Sequence, residues 1–283
     1  MRLGRYRIAL TVRHPVAFRH FLDAIMAAGA EPLVQSSPAQ VQSGVGIEAV
    51  SGLVTDLERG LYGSVESIAA LRGHSPIEIP VVFYETSTRP DPLLNEFQVF
   101  RFVRVQPGLG ADAPEQAADS VRWLISEVPV AVLSCLLEML FGTLPDTVGV
   151  FLRRRLERIA GTYEGSVTAP PPKTSSGLGI ARRTLNRHLR QANLPPAKEL
   201  SDWLLLLYVL FHSERLGTRP SIVARHLGLA SQQLCRLRRR LLGKKRPRAS
   251  LPASIQFDVA LIQLVARCRL CRTDSLAMLR SFA

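Results

Sequence analysis

"SIVARHLGLASQQLCRLRRRLLG", Ser221 to Gly243, carries two helical patterns around one glycine, and its reading decides the architecture of half the chain. Val223, Ala224 and Leu227 precede Gly228, and Leu234 and Leu237 follow it. A helix-turn-helix needs a small residue where its two helices touch, a glycine-type turn, and apolar anchors that fix the angle of the second helix. Ala224, Gly228, Leu234 and Leu237 supply these in order. Ser231 stands where an N-cap belongs, its hydroxyl offered to the free N–H groups of the second helix. Gln232, Gln233 and Arg236 then project from that helix's exposed face. Glutamine pairs bidentately with adenine and arginine with guanine, so the face is equipped to read base edges. Arg238, Arg239 and Arg240, then Lys244, Lys245 and Arg246, suit phosphates. A basic amphipathic helix resting on an acidic partner would share the arginines without requiring that apolar spacing.

A partial copy lies 49 residues upstream. "LGIARRTLNRHLR" (Leu178–Arg190) aligns with "LGLASQQLCRLRR" (Leu227–Arg239), setting Gly179 against Gly228 and Leu185 against Leu234. Between them "PPAKELSDWLLLLYVLFHSERLG" has the length of one long helix. Helices are expected at about 181–192, 196–213, 219–228, 231–242 and 255–281, with two more at 128–141 and 147–159, the latter bearing Arg153–Arg155 on a solvated face.

Two helix-turn-helix units joined by a long helix resemble the DNA-binding domain of the AraC family of transcription regulators, over residues of about 178 to 243. The resemblance implies two helices entering successive major grooves of double-stranded DNA. It makes Arg182, Arg183, Thr184, Asn186 and Arg187 one reading face, and Ser231, Gln232, Gln233 and Arg236 the other. This sequence departs from the pattern in three places. The helix expected before the first reading helix falls in "APPPKTSSG", where prolines shorten or displace it. His188 takes an anchor slot usually held by an apolar residue, with Leu189 beside it as a substitute, and the chain runs on for forty residues past Gly243.

The charge is divided in the same way. Residues 1–150 hold 11 Arg, no Lys and 16 acids, a net of −5, whereas residues 151–283 hold 25 Lys and Arg against 7 acids, a net of +18. Such a division joins a neutral or acidic module to one with a polyanionic partner.

The front of the chain alternates strand-like runs, "RYRIALTV", "EPLVQ", "SGLVTDL" and "IPVVFYE", with helical "PVAFRHFLDAIMAAG" and "GSVESIAALRG". A fifth strand is expected near Phe102–Val105. The order predicts an α/β domain with a parallel sheet covered by helices, of the receiver or flavodoxin-like kind. Followed by a DNA-binding half, it resembles a response regulator, in which an Asp at the end of the third strand takes a phosphoryl group. Asp56 occupies that place. The chemistry also requires acids after the first strand to hold Mg²⁺ and a lysine after the fifth. Thr11, Val12 and Arg13 stand where the acids belong, Glu85 stands where receivers carry Ser or Thr, and residues 1–150 contain no lysine. The expectation is a pseudo-receiver, with Asp56 a vestigial phosphoacceptor serving as a strand-end or capping acid.

The predicted organisation is a receiver-like domain over 1–125, a helical connector over 126–167, a helix-turn-helix domain over 168–250 and a C-terminal helical extension over 251–283. Dimerisation is expected through the first domain or the connector. "VPVAVLSCLLEMLF" (Val128–Phe141) and "WLLLLYVLF" (Trp203–Phe211) fall short of the roughly 20 residues that span a bilayer, so both are expected in the core and no membrane partner is expected. Four cysteines without a framework and no signal-like N-terminus suit a cytoplasmic protein. "CRLC" (Cys268–Cys271) has no second ligand pair for a structural metal, no enzyme motif is present, and no cofactor is expected. A sequence-specific transcription regulator is the leading expectation. An architectural or adaptor protein binding nucleic acid or protein without sequence readout, and a phosphorylation-dependent regulator, stay open.

Overall fold

The computed structural model describes residues 6–36, 50–57, 80–85, 102–106, 113–142, 144–165, 179–243 and 256–268. The chain divides into two compact units between Val132 and Leu133.

The first unit is built on a five-stranded, all-parallel sheet: β1 (Arg7–Leu10), β2 (Glu31–Val34), β3 (Gly52–Leu57), β4 (Val81–Glu85) and β5 (Val103–Gln106). Its spatial order is β2-β1-β3-β4-β5. Parallel sheets need both faces covered, and here both are buried: Leu10, Val54 and Tyr84 on one, Ala9, Leu53 and Phe83 on the other. The first face meets two helices. α1 (Pro15–Ala27) starts at proline, is capped by His14 Nδ1 accepting from the Ala17 N–H, and sets Phe21 edge-on to Tyr84. It ends at Gly29, whose φ of +78° lets Ala30 donate back to the Ile25 carbonyl.

α2 (Ala113–Phe141), of which the part up to Val132 belongs to this unit, reaches the same face from the other edge of the sheet. Ser120 donates to Gln106 at 2.7 Å, and Arg104 lies over Trp123. A side chain at Gly52 would collide with Leu124, so that glycine permits the close approach of helix and strand. The helix expected at 128–141 in fact begins at Ala113 and continues through Pro129. Ala117, Val121, Leu124, Ile125 and Val128 recur at helical spacing and are buried, which outweighs the hydrogen bond lost at the proline. The Ala113–Glu138 stretch is therefore long and apolar enough to cross a membrane, although most of it is buried within the fold.

The second unit is helical. α3 (Asp146–Glu164), α4 (Arg182–Gln191), α5 (Ala197–Leu216), α6 (Pro220–His226), α7 (Ser231–Leu242) and α8 (Gln256–Arg267) follow one another, and α5 packs against all five others. Its all-round apolar middle, Trp203 to Phe211, is what such a central helix requires. α8 is tied to α5 by Arg267–Glu199 at 3.0 Å, by the Phe257 N–H on Glu214 at 2.6 Å, and by Phe211 edge-on to Phe257. Cys268 is buried at its end, where burial and then the nearby Glu199 push its thiol up to about 12. The segment "APPPKTSSG", where the resemblance puts a helix before α4, Cys271, and the helical run "GSVESIAALRG" lie outside the described residues.

Candidate nucleic-acid interface

The two halves of the sequence repeat have the same backbone. Gly179 and Gly228 lie at φ +67° and +68°, a left-handed conformation that costs glycine nothing. Two residues later Ala181 and Ala230 are N-caps with φ, ψ of −65°, 143° and −67°, 145°, after which α4 and α7 begin. Val223, Ala224, Leu227, Leu234 and Leu237, the framework expected of the second pair, are all buried, as is Leu185 in the first. Leu189 is buried too, and His188 is bound instead by Thr147 of α3 at 2.9 Å.

With these leucines inward, helical spacing sets the opposite ridge. On α4 it is Arg183, Arg187 and Arg190, and on α7 it is Gln232, Arg236 and Arg239, all six exposed and paired by the 49-residue repeat. Arg190 and the exposed Cys235, also on the α7 ridge, escaped the sequence reading. Marking every position opposite the buried leucines would have found both. Arg182 and Arg238 flank the ridges, Thr184 is half-buried, and neither helix carries an acid. Each helix therefore presents exposed cations with no acid of its own beside them, chemistry suited to a polyanion.

Several expected site residues have other duties. Ser231 is not the N-cap of α7, since the chain reaches helical geometry one residue after Ala230, and Ser231 is the first residue inside the helix. Ala230 has no side-chain acceptor, so capping comes from the other direction: Gln233 Oε1 accepts the Ala230 N–H at 3.0 Å. Asn186 Oδ1 accepts the Ala197 N–H at 3.0 Å, closing the N-terminus of α5, which Pro196 precedes. Arg240 pairs with Asp202 of α5. Arg155 of α3 is not on a solvated face either. It is half-buried, and its Nε has no hydrogen-bond partner among the described residues. Burial holds its pKa below the ordinary arginine value, Asp202 raises it and Arg158 lowers it. Lys244 and Lys245 lie outside the described residues.

Elsewhere in the second unit, Tyr163 of α3, Tyr208 and His212 of α5 and His226 of α6 form one ring cluster, with centroids 4.4 Å apart for Tyr163–His212 and 5.2 Å for Tyr163–His226. His212 is fully buried, and burial, then His226, pushes its pKa down to about 3.

In the first unit Asp56 is buried at the end of β3, and its carboxylate accepts the backbone N–H of Arg13 in the β1–α1 turn. Thr11, in the place of an expected acid, is buried with its hydroxyl toward the Val54 carbonyl at 3.4 Å. The side chain at Glu85 is not among those described. Comparison with protein-family models, curated proteins and solved structures found no match to this chain.

Proposed function

We propose that the protein is a sequence-specific DNA-binding transcription regulator of AraC type, in which α4 and α7 are the recognition helices of two helix-turn-helix units. One observation carries this reading: the glycine turn, cap geometry and exposed ridge of α4 recur in α7 at a constant offset of 49 residues. A polyanion-binding patch needs only charge, whereas placing two ridges in successive grooves needs repeated geometry. Gln232 and Arg236 are the base readers of α7, and Arg183 and Arg187 those of α4. Arg182, Arg190, Arg238 and Arg239 neutralise phosphates. Gln233 and Asn186 act one step back, by holding helix ends.

The first unit is a receiver-like, flavodoxin-type domain that supplies dimerisation or a signal other than phosphorylation. Its strand order is that of receivers, while Asp56 is engaged by Arg13 and Thr11 replaces an acid.

Selection from a random duplex library with the full chain, followed by competition at fixed salt, tests the reading. A preferred duplex should outcompete its scrambled counterpart by on the order of a thousandfold or more. Equal affinity for all duplexes would assign the basic half to an architectural role.

A further inference from the structure

Asp202 sits on α5 behind the reading surface, 22% exposed, and holds the guanidinium of Arg240, which remains 54% exposed. Arg240 is one turn beyond Arg236 and beside Arg239, at the edge of the α7 ridge. The half-buried Arg155 of α3 lies in the field of the same carboxylate, which raises its pKa against burial and the neighbouring Arg158.

Resting on the reading above, we infer that Asp202 is a specificity-determining residue: it withholds Arg240 from phosphates in non-specific encounters and releases it when base contacts seat α7 in the groove. Three features support the exchange. A half-exposed ion pair is weak, so a phosphate at the right place displaces the carboxylate. Asp202 is partly open to solvent and lies in the field of Arg155, so no bare buried charge results when Arg240 leaves. Arg240 is also on the same helix as Gln232 and Arg236, so the depth of their insertion sets its reach to the DNA backbone. Non-specific affinity comes almost wholly from phosphate contacts. Subtracting one such contact from random DNA, and restoring it on the correct site, widens discrimination.

The experiment measures affinity of the full chain for its selected duplex and for a scrambled one across a salt series. Asp202→Asn should strengthen scrambled binding and steepen its log–log salt slope by about one, the signature of one added phosphate contact. Arg240→Gln in the otherwise native chain should leave the scrambled slope unchanged and reduce the selected-site slope by about one. Combining the two should return the scrambled slope to the native value. Arg240→Gln does not depend on whether Asp202→Asn folds well, and a native scrambled slope that falls by about one in Arg240→Gln would overturn the inference. An unchanged scrambled slope in a folded Asp202→Asn protein would overturn it as well. A native protein that ignores sequence would overturn the regulator reading itself, a different result from a discriminating protein indifferent to both substitutions.

Discussion

At the scale of single residues, Gln232 and Gln233 are neighbours of identical chemistry with different duties. Gln233 is spent on its own helix: its carboxamide oxygen accepts the Ala230 N–H, one of the donors every helix start leaves unmet. Gln232 has no such bond and lies on the ridge between the flanks. Gln232→Ala should therefore relax preference at one base pair, by about 1–3 kcal/mol of discrimination, and leave the melting temperature unchanged. Gln233→Ala should lower stability in thermal melts by about 0.5–1 kcal/mol, and equal relaxation of sequence by both would refute this division. Asn186→Ala should cost about 1 kcal/mol in urea unfolding through the start of α5. The sequence showed that all three side chains lie off the apolar face, because helical periodicity reports that directly. The short-range pull of an unmet N–H group is weaker to read. The offset of Gln233, three residues after Ala230, was nonetheless a legible capping signal that went unused in favour of Ser231.

At the scale of elements, the sheet and most helices were readable because their patterns repeat: apolar runs alternating with helical spans, and leucines at 3.6-residue spacing. α2 was read short at its start because Pro129 looks like a boundary, and only packing against β3 and β5 shows why the helix continues through it. Gly52→Ala, at the point of that packing, should destabilise the first unit by about 1–3 kcal/mol, since a methyl group would collide with Leu124. Arg155 was misplaced for the opposite reason. Three consecutive arginines resemble a solvated face, but a helix turns 100° per residue and carries the third into a half-buried position. His212 makes the joint of α3, α5 and α6 sensitive to acid. Its pKa, about 3 in the fold against an ordinary 6.5, means the unfolded chain takes up a proton first as pH falls. The contribution of His212 to stability is thus constant above about 6.5 and declines between 6.5 and 3, by up to about 1.4 kcal/mol per pH unit. His212→Leu should flatten the chemical-denaturation midpoint of the second unit over that window, and a native-like slope in the variant would locate the sensitivity elsewhere.

At the scale of the whole molecule, the division of charge at about residue 150 and the division of the fold at Val132 and Leu133 fall close together. The acidic unit holds a five-stranded parallel sheet of order β2-β1-β3-β4-β5, and Thr11, Val12 and Arg13 follow its first strand where phosphotransfer would need acids. Asp56 tests which of these governs behaviour. In a working receiver this carboxylate must be accessible to an incoming phosphoryl group and flanked by acids that hold Mg²⁺. Here it is buried, bound to the Arg13 N–H, and accompanied by Thr11, Val12 and Arg13. A carboxylate used in this way fixes the β1–α1 turn against β3, so its loss should appear as stability. Asp56→Ala should lower the unfolding free energy of the first unit by about 1–3 kcal/mol, because the Arg13 N–H loses its charged acceptor. Acetyl phosphate with Mg²⁺ should add no phosphate to the native chain and should leave duplex affinity unchanged. Phosphate incorporation that Asp56→Ala abolishes, accompanied by a change in duplex affinity, would show instead that the acidic unit still communicates with the basic one through phosphotransfer.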